Sequence, residues 1–225
     1  EAYHGIANAL MQKGDSEAAI EGYEQAISIK PDYAETYYNI GILLENNVNP
    51  DAAIDSYMQV LTILASYAGA YNNIGNALKG KGDFGAALGS YNTAVLIKPD
   101  YAEAYYNLGL AQYDKGYLKA AIASYNHALK TKPEYAEAYN NIGNALKDKG
   151  EWEAAIGYYK QAIKIKPDYA NAHYNMGNAL KDKGQLEAAI GYYKQTVKIL
   201  PNYFEAYSNM GVASKDNGLS EAAID

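Results

Sequence analysis

The sequence predicts an all-α protein, a solenoid of 34-residue helix-turn-helix units. Alanine recurs at this step along the whole chain: Ala19, Ala53, Ala87, Ala121, Ala155, Ala189 and Ala223. Prolines keep the same step or twice that step: Pro31, Pro99, Pro133, Pro167 and Pro201. Residues 136–169 and 170–203 are identical at 24 of 34 positions. A period of this length is typical of repeat architectures, in which each unit packs on its neighbours.

The first half of each unit predicts one helix, as residues 136–149 illustrate. The apolar or small residues at i, i+3, i+4 and i+7 are Tyr139, Ile142, Gly143 and Leu146. This spacing places them on one face of an α-helix. Gly150 follows, and glycine often ends helices because it adopts the left-handed conformation without strain.

The second half of the unit predicts another helix, over about 152–165, with a wider apolar face. Its apolar residues are Trp152, Ala155, Ile156, Tyr159, Ala162 and Ile163. A face of this width has to pack on two neighbours. Pro167 ends this helix or follows its end closely, since proline disfavours helical geometry in the residue before it. The small residues Gly143 and Ala155 allow the two helices to approach closely.

The second unit departs from the pattern at two places. Val48 stands where the turn glycine belongs and Pro50 follows it, so residues 45–51 predict a different turn. Ala65 replaces the proline between units. We therefore expect the second helix of this unit to extend past its usual end.

The repeating residues resemble the tetratricopeptide repeat family. The family pattern over 34 residues is W-x2-L-G-x2-Y, then A-x3-F, then P. The matching residues here are Tyr139, Ile142, Gly143 and Leu146, then Ala155 and Tyr159, then Pro167. The resemblance covers essentially the whole chain. It implies a right-handed α-solenoid, or superhelix, in which the first helix of each unit lines the inner groove.

We predict a single tetratricopeptide array over residues 1–225. Its units are 1–33, 34–67, 68–101, 102–135, 136–169 and 170–203, followed by a partial unit 204–225. Ala222, Ala223 and Ile224 are expected on an open apolar end, since a solenoid normally has a polar cap on its last repeat. Either the array continues in a longer protein or such ends associate.

Composition argues against several classes of partner. The formal net charge of −7 disfavours nucleic acid, because phosphate binding needs many Lys and Arg side chains. No apolar run reaches the ~18 residues of a membrane span, so no membrane partner is expected. Cysteine is absent, which removes disulfides and thiolate sites but leaves the redox compartment open. The localisation stays unknown, with the cytoplasm favoured.

Chemistry within the chain is not expected. The histidines are His4, His127 and His173, in different repeats and different columns, so they predict no metal site. His173 is expected in the core or at its rim, and the other two are expected to face solvent. No phosphate-binding loop, nucleophile elbow or zinc-protease motif occurs. The sequence thus predicts no enzyme, no catalytic residue and no cofactor.

Asparagine recurs on the first helices, away from the apolar stripe. The first Asn column has one member per repeat: Asn39, Asn73, Asn107, Asn141, Asn175 and Asn209. The second Asn column is less complete: Asn8, Asn76, Asn144 and Asn178. A basic row holds Lys79, Lys147, Lys181 and Lys215. Tyr38, Tyr106 and Tyr174 precede members of the first column and are expected to be partly exposed aromatic contacts.

Three explanations of the Asn columns stay open. One is a solvated face, although Glu, Lys or Gln would form a helix more readily. Another is a ladder of amide hydrogen bonds between the first helices of neighbouring repeats. The third is binding of an extended peptide, since each amide offers two donors and an acceptor to a peptide backbone. The columns look similar to the Asn ladder in the superhelical repeats of O-linked N-acetylglucosamine transferases, which implies the third.

The predicted function is a protein-protein interaction scaffold that binds an extended peptide or partner segment in the groove of the first helices. One alternative is the substrate-recruiting arm of a larger enzyme such as a glycosyltransferase. Another is a structural array that self-associates end to end. A chaperone C-terminus is a weaker candidate ligand, because the Lys and Arg of carboxylate-clamp repeats are absent from the matching positions.

Overall fold

The structure, a computed structural model, describes residues 1–46 and 49–222 and the side chains up to residue 218. All regular structure in these residues is helical. The helices are α1 (Ala2–Lys13), α2 (Ser16–Ile29), α3 (Ala34–Asn46), α4 (Pro50–Ile63), α5 (Ala68–Gly80), α6 (Phe84–Ile97), α7 (Ala102–Asp114), α8 (Leu118–Thr131), α9 (Ala136–Asp148), α10 (Trp152–Ile165), α11 (Ala170–Asp182), α12 (Leu186–Ile199) and α13 (Phe204–Ala222). The all-α prediction is confirmed.

The chain forms two compact units, Glu1–Ala111 and Gln112–Asp225. In the first unit, α1 packs on α2, α3 on α4, and α5 on α6, and each pair contacts the next along the chain. In the second unit, α9 packs on α10 and α11 on α12, and α13 adds to this series. This packing of consecutive helix pairs is the solenoid organisation that the 34-residue period predicts.

The predicted pair over residues 136–165 is confirmed. α9 ends one residue before the predicted limit, and α10 has the predicted bounds. Gly150 has φ of 78° in the turn between them, a conformation that favours glycine over residues with a Cβ. α10 ends at Ile165, two residues before Pro167.

The predicted extension of the second helix of residues 34–67 is wrong. α4 ends at Ile63, the position at which α6 and α10 also end, although Ala65 replaces the proline. The Leu64 N–H still donates to the Val60 carbonyl at 2.8 Å, and the Tyr67 N–H donates to the Leu64 carbonyl at 3.1 Å. The turn brings α5 against α4, so packing of the next helix ends α4 without proline. The start of α4 is capped by the Asn49 side chain.

Three further expectations concern residues at the limits of the described part. The turn predicted at Val48 lies outside the described residues, as do the predicted positions of Ala223 and Ile224 and the side chain of Ala222. α13 continues through Gly218, where the other units place a turn.

The core of several helix pairs contains a contact between a glycine of the first helix and a tyrosine of the second. Tyr159 is fully buried, and a Cβ on Gly143 would lie 2.5 Å from Tyr159 Cε1. The same contact joins Gly41 to Tyr57, Gly75 to Tyr91, and Gly177 to Tyr193. Ala155 is fully buried beside it. The predicted close approach of small residues is confirmed.

We expect Gly143→Ala to lower the free energy of unfolding by about 1–3 kcal/mol, because the methyl group overpacks the core against Tyr159. The matched control is Gly157→Ala on α10, at an exposed glycine where an added Cβ has no neighbour within 4 Å. This control should gain up to about 1 kcal/mol, since Ala forms helix better than Gly. Urea unfolding followed by circular dichroism measures both, and equal effects would contradict the packing role.

Candidate functional site

The first Asn column lies at the border between the core and solvent. Its six members, Asn39, Asn73, Asn107, Asn141, Asn175 and Asn209, are all half-buried. A fully solvated face therefore does not describe them. The residue that precedes the column in two repeats is more deeply buried, since Asn72 is 0% exposed and Asn140 is 3% exposed.

The column donates hydrogen bonds from one repeat to the preceding one. Asn107 Nδ2 donates to Asn72 Oδ1 at 3.0 Å. Asn175 Nδ2 donates to Asn140 Oδ1 at the same distance. Each bond supplies a donor to a buried amide oxygen, which would cost about 1–3 kcal/mol if it stayed unpaired. The ladder of amides between repeats is thus present in the structure.

In some repeats the residue that would supply this amide acceptor is Tyr instead of Asn. The donor from the next repeat then bonds to the tyrosine hydroxyl. Asn73 Nδ2 donates to Tyr38 Oη at 3.1 Å, and Asn209 Nδ2 donates to Tyr174 Oη at 3.0 Å. Tyr38, Tyr106 and Tyr174 are half-buried, so the expected partial exposure of these rings is confirmed.

The ladder continues as a network in residues 1–111. Asn72 Nδ2 donates to Asn73 Oδ1 at 3.1 Å, and Asn73 Nδ2 lies 3.3 Å from Tyr57 Oη as well. Tyr57 in turn donates its hydroxyl to Glu45 Oε2 at 2.9 Å. The amide of Asn107 is therefore linked to the Glu45 carboxylate through three intervening side chains.

The second Asn column has a separate structural task, which the sequence pattern did not reveal. Each member accepts a hydrogen bond from the buried tyrosine of its own helix pair: Tyr23 to Asn8 at 2.6 Å, Tyr91 to Asn76 at 2.8 Å, Tyr159 to Asn144 at 2.9 Å, and Tyr193 to Asn178 at 2.8 Å. Ile42 interrupts this column, and Tyr57 uses Glu45 instead. The sequence does contain a signal for this role, because the repeat that has Ile42 in place of Asn also has Glu45 as another acceptor.

The Glu45 side chain is partly buried, which disfavours the charged form of its carboxyl group. Burial raises its pKa, while the hydrogen bond from Tyr57 opposes the shift. Burial and the Glu45 charge raise the pKa of Tyr57, so the phenol keeps its proton and remains the donor.

The basic row lies on the same helices as the Asn columns. Lys79, Lys147 and Lys181 are half-buried, and Lys147 Nζ lies 3.6 Å from Asp148 Oδ1. Half-buried lysines typically cover apolar surface with their alkyl stems while their ammonium groups reach solvent.

An open pocket of about 430 Å³ lies in residues 1–111, lined by α3, the turn into α5 and the end of α6 with the turn that follows it. Its lining includes Tyr38, Tyr67, Tyr101 and Lys98, and the rings of Tyr38 and Tyr67 meet edge to face at 5.2 Å between centroids. Burial and the nearby Glu103 carboxylate raise the pKa of Tyr101 to about 12. The Tyr101 hydroxyl is therefore protonated at neutral pH and can donate a hydrogen bond.

The histidines follow the expectations in two cases of three. His127 is exposed, and His173 is buried with its Nε2 donating to the Pro167 carbonyl at 2.9 Å. The expectation that His4 faces solvent is wrong, since His4 is 5% exposed. Its Nδ1 pairs with Thr36 Oγ1 at 2.9 Å. Thr36 occupies a position at which the neighbouring repeats have alanine, so its hydroxyl holds the ring inside.

The described residues contain neither a metal-binding cluster nor a membrane-spanning helix. No cluster of three or more His, Asp or Glu side chains able to hold a metal ion occurs among them. No helix in the described part of the chain has the length and apolar character needed to cross a membrane.

Family models place tetratricopeptide repeats over most of the chain. A model described as TPR repeat matches residues 7–48, 75–116, 113–148, 143–184 and 177–218, and one described as tetratricopeptide repeat matches residues 34–63. The chain belongs to the tetratricopeptide repeat family. Proteins of this family are generally protein-interaction scaffolds and typically non-catalytic. No curated protein is significantly similar to the chain in sequence.

Solved structures share the fold. The chain is 30% identical in sequence to MamA, whose crystal structure superposes with a TM-score of 0.67. The match covers 73% of this chain and 96% of the MamA chain. YrrB, described as a TPR protein with an unusual peptide-binding site, is 23% identical with a TM-score of 0.68, over 84% and 97%. PilW, described as a widely conserved type IV pilus biogenesis factor, is 21% identical with a TM-score of 0.81, over 92% and 96%. YrrB and PilW are evidence for the fold alone.

The raised pKa of Glu45 predicts a pH dependence of stability. The contribution of the protonated carboxyl is present at low pH and is lost as the pH rises through the folded-state pKa. Glu45→Gln keeps an oxygen acceptor for Tyr57 but cannot ionise. We expect the stability of the parent relative to this variant to fall between about pH 4 and about pH 7. Urea unfolding at both pH values measures it, with exposed Glu24→Gln as control; a constant difference would contradict the prediction.

The amide ladder predicts a stability cost for removing one donor. We expect Asn175→Ala to lower the free energy of unfolding by about 1–3 kcal/mol, because the buried Asn140 oxygen loses its donor. The matched control is Asn171→Ala, at an exposed position of the same helix, which should change stability by less than about 0.5 kcal/mol. A double variant with Asn140→Ala should cost less than the sum of the single changes. Equal effects at Asn171 and Asn175 would contradict the ladder.

Proposed function

We propose that the chain binds an extended segment of another protein along its first helices, with the first Asn column as the row that contacts the peptide backbone. The observation that supports this is that the amides are partly exposed and that hydrogen bonds fix the orientation of some of them. Each is half-buried, and the hydrogen bonds of Asn107 and Asn175 to the preceding repeat fix their orientation. A side chain fixed before binding loses less entropy on binding.

The ladder leaves one N–H of the Asn107 amide and one of the Asn175 amide available, whereas Asn73 already donates to both Tyr38 and Tyr57. An Asn side chain has two N–H donors and one oxygen acceptor, so an amide that donates one N–H to its neighbour retains the second. Asn175, for example, uses one N–H on Asn140 and can direct the other to a peptide carbonyl. The structural and the peptide-binding explanations therefore describe two parts of the same group.

The neighbouring side chains supply contacts of different chemistry. The half-buried rings of Tyr38 and Tyr174 offer apolar area with a hydroxyl at the edge. The basic row of Lys79, Lys147 and Lys181 favours acidic side chains in the peptide. The fold shared with YrrB, which is described as having a peptide-binding site, is compatible with this proposal and assigns no residue.

The test begins with peptides selected on the folded chain from a random display library. Backbone recognition predicts that N-methylation of alternate peptide amides abolishes binding, whereas alanine substitution of most peptide side chains does not. Changing Asn107, Asn141 and Asn175 together to Ala should weaken binding, measured under conditions where circular dichroism shows the variant folded. Retained affinity in the folded variant would overturn the assignment of the column.

The basic row offers a test that leaves the ladder intact. We expect the triple change of Lys79, Lys147 and Lys181 to Gln to weaken binding of the selected acidic peptides and to reduce its salt dependence. Lys130, Lys164 and Lys198 are exposed lysines on second helices, and their triple change to Gln is the matched control. Equal losses of affinity in calorimetric titrations of the two variants would show that net charge, rather than the first-helix surface, attracts the peptide.

A further inference from the structure

The pocket beside Tyr38 lacks a carboxylate that an equivalent position elsewhere in the chain provides. In residues 136–169, Lys166 Nζ lies 3.7 Å from Glu137 Oε1. The positions 68 residues earlier are Lys98 and Gly69. The lysine is kept there, but its carboxylate partner is replaced by glycine.

Lys98 nevertheless holds the same position as its counterpart. Lys98 Nζ lies 5.1 Å from the ring centroid of Tyr101, and Lys166 Nζ lies 5.2 Å from that of Tyr169. Among the side chains of residues 1–46 and 49–218, no carboxylate lies within 4.0 Å of Lys98 Nζ. The ammonium group is thus held in place by a ring without an acidic partner.

Two departures from the repeat pattern, in adjacent units, open this space. Gly69 stands where Glu35, Glu103 and Glu137 occur in other repeats, and Ser66 stands where Asp32, Asp100 and Asp168 occur. An added Cβ on Gly69 would lie 3.0 Å from Tyr67 Cε1 and 3.2 Å from Tyr38 Oη. Both side chains that would fill the pocket with negative charge are therefore missing from it.

The lining of the pocket is rich in hydrogen-bond donors. Its eight residues are Tyr38, Ser66, Tyr67, Ala68, Gly69, Ile97, Lys98 and Tyr101. None of these is acidic, and Lys98 carries the only formal charge among them. Tyr38 Oη already accepts from Asn73, so its own proton is available for another acceptor. Glu103 lies outside the lining and is exposed to solvent, which screens its repulsion of an anion.

We propose that this pocket binds the carboxylate of a Glu or Asp side chain from a bound peptide, in the place that Glu137 occupies beside Lys166. The Lys98 ammonium group pairs with the carboxylate, and the tyrosine hydroxyls donate hydrogen bonds to it. This rests on the proposed function, because it names one side chain of the peptide that the first helices bind. The site differs from the Asn columns, which contact only the backbone.

The probe is N-acetyl-glutamate N-methylamide, with N-acetyl-glutamine N-methylamide as its uncharged isostere. Titration into the isotopically labelled chain, followed by amide NMR, should shift the signals of Ser66, Tyr67 and Gly69 with the glutamate compound only. Equal shifts with both compounds, or none with either, would overturn the proposal. These small probes do not depend on binding of a long peptide, so their failure and that of the proposed function are distinguishable.

Two variants test the pocket in different ways. Lys98→Gln should weaken binding of the glutamate compound by about two- to fivefold, the range for a partly exposed ion pair. Gly69→Glu restores the residue of the other repeats and should abolish binding, because its own carboxylate takes the site. Lys164→Gln, at an exposed lysine outside the pocket, is the control and should leave affinity unchanged. Unchanged binding in both pocket variants would overturn the assignment.

A further probe distinguishes a side-chain carboxylate from the α-carboxylate of a chain terminus. N-acetyl-alanine carries a free α-carboxylate and represents a chain terminus. The proposal expects the glutamate compound to bind more tightly, since its longer side chain reaches between the rings of Tyr38 and Tyr101. Tighter binding of N-acetyl-alanine would overturn the assignment to a side chain.

Discussion

A buried tyrosine on the second helix imposes two demands on the first helix in repeats such as 136–169. Its ring leaves no room for a Cβ on the facing residue, as the 2.5 Å approach of Tyr159 to an added Cβ on Gly143 illustrates. Its hydroxyl needs an acceptor, because a buried polar group without one costs about 1–3 kcal/mol. Asn144 supplies that acceptor. Glycine and asparagine are therefore adjacent in three repeats, at 75–76, 143–144 and 177–178, although both are poor helix formers.

The structural role of the first Asn column and its proposed binding role can share one side chain. Asn175 donates to the buried oxygen of Asn140, which joins two repeats, and the remaining N–H of its amide stays at the half-buried surface. A Ser side chain has a single donor, so it could bond either to the neighbouring repeat or to a peptide, but not donate to both. Under the proposed function, substitutions in this column would therefore change stability and binding together.

Departures from the repeat are where individual sites arise. Ile42 removes one amide, and Glu45 replaces it with a carboxyl group whose pKa is raised by burial. Gly69 and Ser66 remove two side chains and leave the tyrosine-lined pocket beside Lys98. A perfectly regular array would present identical surfaces in every repeat. Specificity for one segment of a partner has to come from such differences.

The sequence by itself determined the 34-residue unit, the two helices of each pair and their glycine and tyrosine core. These features depend on 3.6-residue periodicity and glycine turns, which act over a few residues. The tertiary structure alone decided the partners of the amides, the burial of His4 and the end of α4 at Ile63. Each of these depends on a neighbouring helix. Asn107 and Asn72, for instance, are 35 residues apart in sequence and meet only when two repeats stack.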